Sequence, residues 1–417
     1  MGYVKNRHER QSTLGYNYDG DKYVCSNCFS DYAIQNFIKN NASEIICSYC
    51  GTRKEEPIAA DLDDVLGFIM KGILSEYSDP DDEGMSYDSD EGGYQGEIYQ
   101  TSEIFEDEIE RFIEDENLSK DISDALIDKE WCRKDFYFLP KHEKLIINWD
   151  RFSKQVKYKT RYVFFRLPGK SSDVDIDDPD EIPISEMLDH FGRILSETRL
   201  LRILKPGDIF FRARIHLRDK VCNNVKECGQ PLANELFNSN RMSPAGISMF
   251  YGALDEQTTL VETHDTGDEK VITISKWESC RALRFLDLMN IPALPSIFDS
   301  KNRNMRPNIL FLNSFKLEIV RPLVEDKFAS VDYVPTQVFT EYIRHLYMDS
   351  RGNRYDGILY PSSKHPDHVN AVVFCERQNC LDIGEALNPK STIPKYIRLI
   401  SYKDVENKDY NEYLASI

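Results

Sequence analysis

An α+β fold is what the sequence predicts. Three observations point to it: paired cysteines in a short polar stretch near the N-terminus, apolar residues at helical spacing from Asp61 to about Arg202, and short β-like runs from Leu204 onward. A chain of 417 residues with 41% apolar content has room for two or three domains with ordinary cores.

The first element is carried by Cys25, Cys28, Cys47 and Cys50, a C-x2-C-x18-C-x2-C pattern. Two residues between ligands let each pair turn both thiolates toward one tetrahedral centre, and Gly51 suits the tight knuckle after the second pair. Redox-active pairs are the rival, but a thioredoxin-like site uses one pair in a βαβ context. The pattern predicts a zinc ribbon over residues 1–56. With four protein ligands the Zn2+ has no open position, so its role is structural. Cys132, Cys222, Cys228, Cys280, Cys375 and Cys380 read as core or surface thiols.

The second element begins with DLDDVLGFIMKGIL, where Leu62, Val65, Leu66, Ile69 and Ile73 recur at helical spacing behind Asp61 as a cap. ISDALIDKEW and ISEMLDHFGRILSETRLLRIL continue the pattern, which predicts a mainly helical domain over 57–201. Acidic residues crowd its first half. Ser75 to Glu116 hold seventeen Asp or Glu against one basic residue, Arg111, which accounts for −16 of the net −19. The remainder is near neutral, and no basic tract offers a footprint for nucleic acid. The like-charged, glycine-rich run near 75–103 predicts a mobile loop.

DIFFRAR, SMFYGAL, KVITISKW, RALRFLDL, DGILYPS and NAVVFC supply the strands of a third domain over 202–384. Among them TQVFTEYIRHLY presents Val338, Phe339, Tyr342, Ile343 and Leu346 on one helical face. A C-terminal strand and tail over 385–417 complete the chain. No apolar run reaches the ~18 to 20 residues of a membrane span, and none at the start resembles a signal peptide, so a cytoplasmic protein is expected.

Several motifs fail on inspection. PGKSS at Pro168 to Ser172 has Phe164 where a phosphate loop needs its first glycine. DVDIDDPDE from Asp173 has Asp178 and Ile184 where a calcium loop needs glycine and glutamate. His365 and His368, around a proline and an aspartate, read as a surface turn. HExxH and GxSxG are absent.

The most informative stretch is RMSPAGISMFYGALDEQTTLVETH. Arg241 precedes a Ser-Pro-Ala-Gly turn, a strand presents Tyr251, and a helix starting near Asp255 carries Glu262 on its second turn. An arginine, an aromatic ring and a carboxylate can thus converge on one cleft. Taken singly, each has a bland explanation as surface pair, core ring or solvated acid.

Their order and context resemble the RES domain, named for its arginine, glutamate and serine. The resemblance spans about Arg202 to Gly384. LKPGDIFFRAR is similar to the family's opening strand with its Phe-Arg pair at Phe211 and Arg212, RMSPAGISMFYGA to its arginine and tyrosine segment at Arg241 and Tyr251, TTLVET to the glutamate helix at Glu262, and YDGILYPSS to the serine strand at Ser362. Asn240 replaces the family's usual glycine, and Met242 and Ser243 replace its Trp-Asn. The N-terminal ribbon, the helical part and the Trp131 to Trp149 segment resemble a HEPN-like extension of some RES proteins. The Arg-x4-6-His motif of an active HEPN ribonuclease is missing there, since Arg133 lies nine positions before His142.

This resemblance implies a C-terminal domain of the ADP-ribosyltransferase-related fold, and degradation of NAD by water or phosphate in a toxin or antiphage defence effector. Catalytic roles are implied for Glu262, Arg241, Tyr251 and Ser362, and substrate binding for Arg212, Arg241, Tyr251 and Ser362. An Xre-type antitoxin or other regulatory protein is the implied partner, and homo-oligomerisation is left open. Two alternatives stand beside it: an ADP-ribosyltransferase that modifies a protein or nucleic acid, and a non-catalytic nucleotide-binding, zinc-ribbon interaction protein.

Overall fold

The computed structural model describes residues 9–90, 92–167, 181–263, 270–321, 329–364 and 367–406. Pro168–Ser172, most of the acidic run from Asp173, and His365 lie outside the described residues. The chain divides into two compact units. One comprises Met1–Pro140 with Leu294–Arg306, the other Lys141–Ala293 with Pro307–Ile417.

In the first unit the cysteine segment and the helices share one core. Strand Tyr23–Cys25 pairs antiparallel with Ala59–Asp61, and helix Leu62–Glu76 follows at once. Asp61 caps that helix by accepting from the Asp63 amide, and Leu62, Val65, Leu66, Ile69 and Ile73 are all fully buried, as their spacing predicts. They pack with Val24, Phe29, Ile34 and three of the four paired cysteines. A ribbon of some fifty residues has too little apolar surface for a core of its own, which explains the merger. Ile297 and Phe298, far along the chain, complete the same cluster. A Cβ on Gly72 would stand 2.3 Å from the Phe298 ring, so a glycine is required where that ring meets the helix.

The acidic run is more ordered than its charge suggests. Tyr77–Ser78 and Tyr99–Gln100 both pair with Glu130–Arg133, and Tyr87–Asp88 with Gly93–Tyr94. Tyrosines interleaved among the acids supply the contacts that composition hides. Tyr77 meets Tyr99, and Tyr87 meets Tyr94, edge to face, while the Tyr94 hydroxyl donates to Asp81 at 2.8 Å.

A nine-stranded mixed sheet forms the second unit. Its strands are β1 (Leu201–Leu204), β2 (Ile209–Leu217), β3 (Phe250–Ala253), β4 (Lys270–Ser279), β5 (Leu283–Asp287), β6 (Gly357–Pro361), β7 (Val369–Val373), β8 (Cys380–Leu381) and β9 (Ile397–Glu406). They lie in the order β8-β9-β4-β2-β3-β7-β6-β5-β1. Its longer helices are α1 (Lys141–Tyr158), α2 (Met187–Thr198), α3 (Glu256–Thr263), α4 (Arg306–Val320) and α5 (Val334–His345). The six β-like runs of the sequence all become strands. Helices α1 and α2, expected in a separate helical domain ending at 201, instead pack with α4 and α5 against Leu286, Ile358 and Val372 of the sheet. Phe191 on α2 holds this layer together by ring contacts with Trp149, Phe311, Phe315 and Phe339. Truncating an aromatic side chain in such a core costs about 3–5 kcal/mol.

Other departures are local. The helical pattern through RLLRIL breaks at Arg199, whose left-handed φ of 54° ends α2, and β1 pairs with β5. Leu346 lies beyond the last turn of α5 and is 69% exposed. Strand β9, expected outside the domain ending at 384, pairs with β4 from Val271 to Ser279.

Strand alternation sorts the side chains onto two faces. Tyr251, Ile358, Tyr360, Asn370 and Val372 share the face covered by α1, α2, α4 and α5; further along, α3 packs Leu260 with Ile272, Ile274 and partly buried Phe211, Ala213 and Ile215. Phe210, Phe250, Trp277, Leu359 and Val373 fill the opposite face.

Candidate active site

Each predicted site residue has a local reason for its position. Asp255 accepts from the amide and the hydroxyl of Thr258, both at 2.7 Å, so α3 begins where the sequence suggests. Its far end is held by Lys364, whose Nζ donates to the carbonyls of Val261 at 2.7 Å and Glu262 at 3.4 Å. Glu262 therefore sits on a short helix fixed at both ends. Ser362 follows β6 directly and is fully buried; its hydroxyl donates to Oε1 of Glu262 at 2.5 Å. Asn370 of β7 donates through Nδ2 to that same oxygen at 3.1 Å. Among the described residues Oε2 has no partner. One carboxylate oxygen is thus fastened by two donors.

Tyr251 projects from β3. Its hydroxyl shares a 2.8 Å hydrogen bond with Ser243, and burial pushes its phenol pKa up, so it stays protonated at neutral pH. Arg241 stands on the preceding turn. Thr336 donates to its carbonyl at 2.7 Å, and Gln337 to the carbonyl of Asn240 at 2.8 Å, so α5 fixes the turn through its backbone. The Arg241 guanidinium donates to the carbonyl of Arg321 at 3.0 Å and lies 5.0 Å from the Tyr333 ring centre. No carboxylate pairs with it among the described residues. Met242 is fully buried among the helices and Ser243 orients Tyr251, so the two unusual residues after Arg241 keep the turn packed and the ring placed.

Arg212 is elsewhere. Its strand pairs through Phe211 with Ala253, which puts Phe211 on the Tyr251 face and Arg212 on the opposite one. There its guanidinium lies 5.4 Å from the Phe250 ring centre, and it reaches round only to donate to the backbone carbonyl of Tyr251. Burial, reinforced by the neighbouring Arg214, holds its pKa well below the usual arginine value. This position suits a support for β3 rather than the substrate contact that the resemblance implies for Arg212.

Residues 228–390 match the RES domain family, and residues 40–168 match the family HEPN/RES N-terminal domain 1. The protein carries a RES domain. No curated protein and no solved structure matches the chain. Glu262, Arg241, Tyr251 and Ser362 all fall within the RES domain, whereas Arg212 precedes the matched residues.

The RES domain also brings in two residues that the sequence alone did not single out. Asn370 touches Glu262 directly. Tyr360, opposite Asn370 in the β6–β7 register, lies within electrostatic reach of Tyr251, Glu262, Arg241 and Tyr333. The signal available was period-two alternation: in ILYPS and VNAVV, Tyr360, Ser362 and Asn370 occupy the same-facing positions once the strands pair antiparallel. His368 bonds Asp255 at 3.2 Å, in keeping with a turn residue.

In the first unit, the sulfur atoms of Cys25, Cys28, Cys47 and Cys50 all lie within 4.8 Å of one another. Three of the separations are 3.5, 3.6 and 3.8 Å. A tetrahedron with zinc–sulfur bonds of about 2.3 Å has edges of about 3.8 Å, so this set fits Zn2+. Gly51, at φ 69°, makes the left-handed turn after the second pair. Of the other six cysteines, five are buried and Cys280 is half-buried. Among the described residues no helix is long and apolar enough to cross a membrane.

Proposed function

We propose that the RES domain cleaves NAD at its nicotinamide–ribose bond, passing the ribose to water or phosphate, and that the protein is a cytoplasmic toxin or defence effector. The observation that carries this reading is the Glu262 carboxylate, with Oε1 fastened by Ser362 and Asn370 and Oε2 unpartnered among the described residues. Nicotinamide leaves as a neutral base and needs no strong acid. The barrier lies in the cationic, oxocarbenium-like ribose, and a fixed carboxylate oxygen beside that carbon is the group that lowers it. Arg241 offers its guanidinium to the pyrophosphate, and Tyr251 its ring to the ribose and nicotinamide. Ser362 and Asn370 are positioning residues, because their donors point at Glu262. The fold is taken as related to that of ADP-ribosyltransferases, which stabilise the same cation. Cys25, Cys28, Cys47 and Cys50 are taken as ligands of a structural Zn2+, and an Xre-type antitoxin as a partner.

The test is mass spectrometry of products after the full chain is incubated with NAD, with and without phosphate. Continuous nicotinamide release with ADP-ribose or its 1″-phosphate is the expected result. Release only when a macromolecular acceptor is present would replace cleavage with transfer. No release under any of these conditions would remove the enzyme reading.

The division of labour around Oε1 has its own consequence. Ser362→Ala and Asn370→Leu are each expected to lower kcat/KM for NAD by about tenfold, as loss of a hydrogen bond to a charged group. Because both hold one oxygen, the double variant should lose less than the product of the two. A double-mutant cycle with fully additive losses would separate the two residues.

A further inference from the structure

Tyr360 has a feature that its place in a packed sheet does not explain. It is only 8% exposed, yet no hydrogen bond is made by its hydroxyl among the described residues. Its hydroxyl oxygen is not one of the solvent-inaccessible side-chain atoms that lack a partner, so the ring is buried while the hydroxyl stays open to a ligand. Tyr251 has Ser243, Tyr342 has Asp189 and Tyr347 has Ser196. Tyr360 instead faces Tyr251, Glu262, Arg241 and Tyr333. It lies directly across from Asn370 and two residues before Ser362, the pair that fastens Oε1 of Glu262.

We infer that the Tyr360 hydroxyl is a substrate contact, donating a hydrogen bond to an oxygen of the nicotinamide ribose held against Glu262. The inference rests on the NAD-cleaving reading and extends it. Burial pushes the Tyr360 phenol pKa up, with the Glu262 charge acting in the same direction, so the group is a permanent donor at neutral pH. A donor beside Glu262 matches a ligand whose hydroxyl and ring oxygens accept. The ring stays in the core either way. Phe therefore preserves the packing and removes one atom that makes no hydrogen bond among the described residues.

The experiment compares the full-length wild type with Tyr360→Phe by thermal melting without ligand, and by steady-state cleavage of NAD. The expected result is an unchanged or raised melting temperature together with a fall in kcat/KM on the order of tenfold, the size of one lost substrate hydrogen bond. A structural role would reverse the first sign, because losing a satisfied buried hydroxyl lowers the melting temperature. Equal kcat/KM for the two proteins, or a lowered melting temperature, overturns the inference while the cleavage reading stands. A wild type that neither binds nor cleaves NAD removes the cleavage reading first, and this contact with it.

Discussion

Glu262→Gln is expected to lower kcat for nicotinamide release by about 10² to 10³-fold while leaving the fold intact. The amide keeps an oxygen where Ser362 and Asn370 donate, so the side chain stays fastened. What changes is the other position, where a neutral NH2 replaces the charge that faces the ribose cation. Removing one preorganised group of this kind typically costs about 3–4 kcal/mol of barrier. The interaction arises only as positive charge develops, so the loss should fall on kcat and leave the affinity for NAD nearly unchanged. Steady-state kinetics with a parallel measurement of NAD binding would check both halves. A variant within about threefold of wild type would show that the carboxylate does not act on the transition state, and would return the site to nucleotide binding alone.

How far this site could be read from sequence depends on which contacts are local. Arg241, Tyr251 and Glu262 fall within one stretch of 22 residues, and the strand, turn and helix that carry them follow from alternation, Pro-Gly punctuation and the Asp255 cap. Asn370 is 108 residues from Glu262, and in NAVVFC it reads only as the polar start of a strand. Arg212 shows the converse. Its side chain alternates with Phe211 in any strand, but which of the two faces the cleft depends on pairing with Ala253, and register is not visible in one strand. Domain boundaries blur for the same reason. The apolar stripe of α2 is legible as a helix, but the sheet on which it packs lies downstream, and the compositional shift at Leu204 does not coincide with the division after Pro140. Nor does anything in Ile297 and Phe298 announce that they belong with the cysteine segment.

That last contact makes the metal the second large lever. Cys25, Cys28 and Cys47 are interior members of the first unit's core, packed with Val24, Phe29 and Ile34, whereas only Cys50 is exposed. Four-cysteine zinc sites contribute roughly 10–16 kcal/mol to folding in small zinc domains, against a net stability of about 5–15 kcal/mol for a typical domain. Cys28→Ser, or zinc removal by a chelator, is therefore expected to unfold this unit outright. Metal analysis should find one zinc per chain before treatment. Hydrogen exchange should then lose its protection in Leu62–Glu76 and, through Phe298, in the distant segment 294–306, while β2 and β4 of the second unit keep theirs because their core is separate. If the chain carries no zinc and Leu62–Glu76 exchanges as slowly in Cys28→Ser as in wild type, the four sulfurs are core thiols that merely lie close together. If 294–306 stays protected while Leu62–Glu76 opens, Phe298 is not what joins that segment to the first core.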